Sequence, residues 1–138
     1  MFNCTVVGNL ASSQGGGTWG GRYKNCIIYY NSAPNSPNSI YGSQDYCCIP
    51  SSGANNITVP PLFLNQSAGD FRLQSGSPCI NAGSNYFAPA GTDLAGYPRI
   101  RGTAVDIGAF EFVHPAADQT AEANLMIGPL LGHRLADS

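Results

Sequence analysis

Apolar and polar positions alternate at the start of the chain, and this pattern predicts short β-strands. Cys4 and Val6 form one alternating set, and Cys26 and Ile28 form a second with the same spacing. Alternation of this kind places every second side chain on one face of a strand. Because each set is only a few residues long and is followed by Asn or Gly, we expect short strands joined by tight corners.

The same pattern returns after 22 residues. Residues 3–11 align with residues 25–33 at Asn, Cys, an aliphatic position, Asn and Ala. The next step of equal length ends at Cys48, so Cys4, Cys26 and Cys48 are predicted to form one column in space. A repeat of this length is too short for a strand-helix-strand unit but is sufficient for one turn of a solenoid.

The predicted fold is therefore all-β, a short parallel β-helix of two to three coils of about 22 residues with a C-terminal capping unit. The coils occupy residues 1–55, the cap residues 56–113 and a tail residues 114–138, all within one domain. Residues 116–126 of the tail can form a helix, and the alternative is a tail that is not native to the fold. Residues 12–21 are either a flexible linker or, as the period requires, a corner and a strand in which glycines let neighbouring coils approach.

Three further features follow from stacked coils. Asn9 and Asn31 are predicted to end equivalent strands, with left-handed backbone and a hydrogen bond between their side-chain amide groups. Val7, Ile27 and Tyr29 form an outward apolar stripe that needs a cover, either the C-terminal half or a second chain. The first coil presents an unpaired strand edge, which predicts either a homo-oligomer formed through the N-terminal edge of the β-helix or further upstream coils that cover this edge in a longer parent protein.

Composition and charge exclude several classes of partner. Charged residues are only 10% of the chain, whereas Gly numbers 17 and Pro 10, as in a turn-rich β-protein. The formal net charge of −2 offers no basic surface for nucleic acid. We expect no membrane span and find no signal peptide in this chain.

Three ordered motifs carry a family resemblance: residues 70–83, residues 92–100 and residues 105–111. Together they resemble the C-terminal part of bacterial secreted right-handed parallel β-helix proteins, the choice-of-anchor, polymorphic outer-membrane and pectate-lyase-like group. The resemblance implies a right-handed helix and a parent protein that is secreted or held at the cell surface. It does not imply one activity, because the wider class includes lyases, glycosidases, adhesins and passive spacers.

Asp93, Asp106 and Glu111 form the densest acidic group, with Arg99 and Arg101 close in sequence. One interpretation is an ion-pair lattice in which Arg99 pairs with Asp106 or Asp93 and locks the cap over the last coil. The second is a Ca²⁺ site, since calcium takes six to eight oxygen ligands. The third is catalysis by the same three residues, as a glycosidase or as a calcium-assisted lactone or ester hydrolase.

The remaining candidates are cysteines and aromatic residues. The cysteines are expected to be free thiols, because parallel side chains on neighbouring coils seldom reach the dihedral angle that a disulfide needs. No C-x-x-C pattern or His cluster supports zinc. The aromatic residues Trp19, Tyr23, Tyr29, Tyr30 and Tyr41 either cover corners and glycines or form a platform for sugar stacking.

The sequence predicts two functions from different classes. The first is a terminal module of an exported β-helix protein, serving surface architecture or carbohydrate binding. The alternative is a small calcium-dependent hydrolase acting on a lactone, an ester or a glycan. A carbohydrate or small-molecule ligand is the expected partner in either case.

Overall fold

The structure is a computed structural model that describes residues 1–114, and it is all-β, as predicted. The strands are β1 (Thr5–Val6), β2 (Thr18–Lys24), β3 (Ile27–Ile28), β4 (Ser39–Asp45), β5 (Phe63–Asn65) and β6 (Asp70–Leu73). Short 3-10 helices occur at Gln66–Ala68 and Asn85–Phe87, and residues 1–114 contain no α-helix. The helix predicted for residues 116–126 lies outside the described residues. No helix within residues 1–114 has the length and apolarity needed to cross a membrane.

Parallel pairing joins segments that are one repeat apart. β1 pairs with β3 and β2 pairs with β4, in two separate two-stranded sheets. Isolated parallel bridges between Leu10 and Ser32 and between Gln14 and Ser36 continue the same pairing between the strands. The last parallel bridge joins Cys48 to Ile57. We therefore call residues 1–57 the repeat region and residues 58–114 the C-terminal region.

The column of thiols contains Cys47, and the prediction that it contains Cys48 is wrong. Cys48 bridges Ile27, which places Cys47 opposite Cys26. Cys4, Cys26 and Cys47 belong to one apolar cluster inside the repeat region. The second offset is 21 residues where the first is 22, and a shift of one residue turns a side chain to the opposite face of a strand. All five cysteines are free thiols, as expected.

A second apolar cluster joins the repeat region to the C-terminal region. Its buried members are Ile27, Cys48, Phe63, Leu73, Cys79 and Ile107, and Val7 and Tyr29 pack against them. The antiparallel hairpin of β5 and β6 supplies Phe63 and Leu73. The stripe predicted at Val7, Ile27 and Tyr29 is thus covered by the C-terminal half of the same chain.

Asparagines form the corners, but at positions other than those predicted. Asn3 and Asn25 adopt left-handed backbone with φ of 46° and 55°, and the Asn25 amide donates to Asn3 Oδ1 over 3.2 Å. Left-handed backbone at Asn9 and Asn31 is not found. The predicted hydrogen bond between their side chains is present, with Asn9 Nδ2 donating to Asn31 Oδ1 over 3.0 Å. A left-handed residue lies immediately before Cys4, Cys26 and Cys47. A second left-handed position lies one residue before the strand ends, at Gly8 (φ of 71°) and Tyr30 (φ of 56°), so the predicted reversal of φ falls one residue earlier than Asn9 and Asn31.

Glycines allow neighbouring repeats to approach, which supports the corner interpretation of residues 12–21. A Cβ on Gly16 would lie 2.2 Å from the carbonyl oxygen of Pro37, and a Cβ on Gly17 would lie 2.5 Å from that of Asn38. Since Cβ atoms do not approach other atoms this closely, no residue larger than glycine fits at either position without movement of the backbone.

Candidate functional site

The three predicted acidic residues come together in the C-terminal region. Asp93, Asp106 and Glu111 are all buried, with 3–6% of their surface exposed. Two hydrogen bonds from backbone amides to carboxylates link the three residues. The Glu111 backbone amide donates to Asp93 Oδ2 over 2.7 Å, and the Asp106 backbone amide donates to Glu111 Oε2 over 3.1 Å. We call these three residues the carboxylate cluster.

Backbone amides from the surrounding loops occupy further oxygens of the cluster. Asp93 Oδ1 accepts hydrogen bonds from the amides of Ala95 and Tyr97 at 2.9 and 2.8 Å. Asp106 Oδ1 accepts one from the amide of Asn81 at 2.7 Å. Because a buried carboxylate is stabilised by such donors, these contacts fix the path of three separate loops.

Arg99 links the cluster to the repeat region, with a partner that differs from the predicted one. Its Nη1 lies 3.5 Å from Glu111 Oε1, so the ion pair is with Glu111 and the predicted pairing with Asp106 or Asp93 is not formed. Nη1 also donates to the Gly108 carbonyl, and Nη2 donates to the Asn3 carbonyl at 3.4 Å. Asn3 in turn donates through its amide to the Asp106 carbonyl at 2.9 Å.

Burial alters the acidity of two members of the cluster. Desolvation raises the pKa of Glu111 to about 8, although the Asp106 amide and Arg99 both act to lower it. Desolvation also raises the pKa of Asp106, against hydrogen bonds from the amides of Asn81 and Phe112. The Glu111 carboxyl therefore holds its proton at neutral pH, because burial removes the water that would solvate its charge.

A cavity of about 440 Å³ lies beside the cluster. Glu111 contributes to its wall, and the rest of the lining is mostly apolar: Leu64, Arg72, Leu73, Ala95, Tyr97, Phe110, Phe112 and Val113. The volume lies within the range of small-molecule sites, and one carboxyl in an apolar wall is a common composition for such a site.

The carboxylate oxygens are poorly disposed for calcium. Residues 1–114 hold no group of three or more His, Cys, Asp or Glu side chains arranged around a common metal position. At least one oxygen of each carboxylate accepts a backbone amide, as given above, and a cation would have to share those oxygens with N–H donors. Glu111 Oε1 is the least engaged oxygen, at 3.5 Å from Arg99.

Sequence reasoning found the acidic residues but missed the contacts that give them a role. Asn3 lies far from the cluster in sequence, and nothing local indicates that it meets Asp106. Asn81 carried a weak signal, since its backbone is left-handed with φ of 53° and Asn is the residue type that tolerates this conformation. A second group of aromatic residues around Phe87 was also missed, because its members are scattered along the sequence.

Comparison of the chain with protein-family models, with curated proteins and with solved structures finds no match.

Proposed function

We propose that this chain is the terminal module of an exported right-handed parallel β-helix protein, with a structural role in surface architecture. Parallel pairing at offsets of 22 and 21 residues supports a β-helix. An apolar face that the C-terminal region covers supports a terminal position, because a solenoid that ends must stop exposing its core.

One observation carries the structural role of the carboxylate cluster. Its carboxylates accept hydrogen bonds from backbone amides of the C-terminal region, while Arg99 and Asn3 connect that region to the first repeat. This arrangement uses buried, hydrogen-bonded polar groups to fasten one part of the fold to another, which is the ordinary role of buried polar networks.

A second candidate is a small calcium-dependent hydrolase acting on a lactone, an ester or a glycan. The observation in its favour is the cavity beside Glu111, whose pKa of about 8 keeps the carboxyl protonated at neutral pH. A general acid requires a proton at the operating pH and access to the substrate. Asp106, whose backbone amide donates to Glu111 Oε2, is the second carboxyl assigned to such a reaction, although it does not line the cavity.

Thermal unfolding and turnover distinguish the two proposals. The structural role predicts that wild-type protein melts at the same temperature in calcium and in a calcium chelator. It also predicts that Asp106→Asn melts lower in both, because an amide nitrogen then faces either the Asn81 or the Phe112 backbone amide. Asp70→Asn, at a carboxylate that bonds to Arg72 on the surface, is the matched control and leaves melting unchanged.

The outcome that contradicts the structural role is a rise in melting temperature with calcium, together with turnover of lactones, esters or glycosides. That turnover must be lost in Asp106→Asn or Glu111→Gln while circular dichroism shows that the fold persists.

A further inference from the structure

A cluster of aromatic rings lies where the second 3-10 helix meets the repeat region. Phe87 is at its centre: the ring of Phe2 stacks on it with centroids 6.4 Å apart, and the ring of Tyr86 meets it edge-on at 5.0 Å. Tyr46 lies 6.4 Å from it on a third side. We call Phe2, Tyr46, Tyr86 and Phe87 the aromatic cluster.

The aromatic cluster borders an open cavity of about 450 Å³, lined by Phe2, Tyr86, Phe87 and Pro89. Tyr86 is 88% exposed and Phe2 is 52% exposed. A ring that is almost fully exposed contributes little to the burial of apolar surface, so packing does not account for Tyr86.

The chain that presents Tyr86 is anchored at the two residues that precede it, Ser84 and Asn85. The side-chain amide group of Asn25 bonds to both the amide and the carbonyl of Ser84, at 2.8 and 2.9 Å. On the next residue, Asn85 Oδ1 accepts a hydrogen bond from the Val105 amide at 2.7 Å. The exposed ring is therefore held by a fixed backbone, and a ligand that binds to it loses little affinity to ordering of the loop.

Polar groups of both signs stand beside the rings. Lys24 Nζ lies 4.8 Å from the centroid of the Phe87 ring and 2.9 Å from Asp45 Oδ2. Asn55 donates to the other oxygen of Asp45 over 3.0 Å. The side chains of Lys24 and Asp45 are each about one quarter exposed, at 23% and 24%. Together they offer donors and acceptors to a ligand with no net charge.

This combination fits a neutral sugar. The C–H groups on one face of a pyranose ring carry partial positive charge and stack on the negative face of an aromatic ring. Sugar hydroxyls both donate and accept hydrogen bonds, and so a paired ammonium and carboxylate can satisfy them. A cationic ligand is disfavoured because Lys24 already lies over Phe87, and an anionic ligand would compete with Asp45 for Lys24.

We propose that the aromatic cluster binds a pyranose unit of a neutral glycan, with Tyr86 as the main stacking surface. The proposal deepens the expectation of a carbohydrate ligand, but it does not depend on the structural role of the carboxylate cluster, which involves other residues.

Saturation-transfer NMR tests the proposal on the full chain. The probes are cellohexaose, xylohexaose and mannohexaose as neutral oligosaccharides and an oligogalacturonide of the same length as the acidic one. We expect at least one neutral probe to bind, with affinity about 10-fold weaker in Tyr86→Ala, because one stacked ring contributes roughly that factor. Tyr86→Phe keeps the ring and is expected to keep the affinity.

Tyr41→Ala is the matched control. Tyr41 is a tyrosine of similar exposure, 78%, that pairs with Trp19 on the β2 and β4 sheet away from the cavity. Its removal is expected to leave binding unchanged.

Three results would overturn the proposal: no neutral probe binds, only the acidic probe binds, or Tyr86→Ala binds as well as wild type. If binding persists in Tyr86→Ala but is lost in Tyr41→Ala, the glycan site lies at Trp19 and Tyr41. None of these results bears on the calcium and melting experiment, so the failure of this inference and the failure of the proposed function are separable.

Discussion

At the scale of single residues, Glu111 is the group whose environment departs most from water. Its carboxyl is buried in the wall of an apolar cavity, and its main contacts are one backbone amide and a long ion pair with Arg99. Desolvation dominates these contacts, so the folded state favours the protonated carboxyl. The same residue can therefore stabilise the fold at low pH and weaken it at high pH.

We predict that the free energy of unfolding falls as pH rises from about 4.5 to about 8. The folded pKa of Glu111 is about 8 and its ordinary value is 4.5, so between these values the folded protein holds a proton that the unfolded chain has released. The contribution of Glu111 to stability is complete below the lower value and is lost as the pH passes the higher one, a decline on the order of 5 kcal/mol. Urea unfolding at several pH values measures the slope.

Glu111→Gln is the test of that assignment, since glutamine resembles the protonated carboxyl but does not titrate. The free energy of unfolding of this variant is expected to decline much less as pH rises. The decline that remains is assigned to Asp106, whose pKa is also raised by folding. Asp45 and Asp70 do not contribute in this range, because Asn55 and Lys24 lower the pKa of the first and Arg72 lowers that of the second. An unchanged slope in Glu111→Gln would show that another group is responsible.

At the scale of elements, the repeat predicted the pairing of strands but not the facing of every side chain. The alignment of residues 3–11 with residues 25–33 predicted the partners of Asn9 and Leu10 because the offset there is constant. The alignment failed at Cys48, because the second repeat is one residue shorter than the first. This shift places Cys47 opposite Cys26, and the sequence does not reveal the change because Cys47 and Cys48 are identical neighbours. The corners were misplaced by one residue, because the left-handed positions beside the predicted Asn9 and Asn31 are taken by Gly8 and Tyr30. Tyrosine is not a residue type that signals left-handed backbone in a sequence.

We predict that Gly16→Ala destabilises the protein by about 2 kcal/mol, as expected when an added methyl group overpacks a close contact. Its Cβ would meet the carbonyl oxygens of Pro37 and Ser32 at 2.2 and 2.5 Å. Both atoms belong to the backbone of the next repeat, which cannot move without breaking the parallel bridges. Equilibrium unfolding in urea measures the loss.

Gly76→Ala is the control for that substitution. A Cβ at Gly76 meets nothing within 4 Å. Alanine there is expected to leave stability unchanged, or to raise it by about 0.5 kcal/mol because alanine lowers the conformational entropy of the unfolded chain. Equal effects of the two substitutions would mean that the repeats do not approach as closely at Gly16 as this structure has them.

At the scale of the whole molecule, two halves with different kinds of sequence depend on each other. The repeat region has a period that can be read from its residues, whereas the C-terminal region has none. The contacts of the C-terminal region with Asn3 and Asn25 join residues that are 103 and 59 positions apart in sequence. Such contacts leave no local pattern, and for that reason the acidic residues could be predicted as a group while their partners could not. The same distinction applies to the aromatic cluster, which joins Phe2 to Phe87.

The first repeat leaves one strand edge without a partner within residues 1–114. Thr5, Leu10 and Gln14 pair with the repeat that follows them, and the described part of the chain supplies no strand on their other side. Leu10 is 82% exposed at this edge. Open edges that lack charged residues pair with other chains, and so we predict that the protein self-associates through this edge as its concentration rises.

Sedimentation velocity over a range of concentrations tests this prediction. Leu10→Lys places a charge on the edge and is expected to shift the protein toward monomer, because pairing would then bring like charges together or bury one of them. Val59→Lys alters a side chain that is 54% exposed and lies beyond the last parallel bridge, and it is expected to leave self-association unchanged. A wild-type protein that sediments as a monomer at every concentration would show that the edge is protected in solution, and equal effects of the two lysines would assign the association to net charge alone.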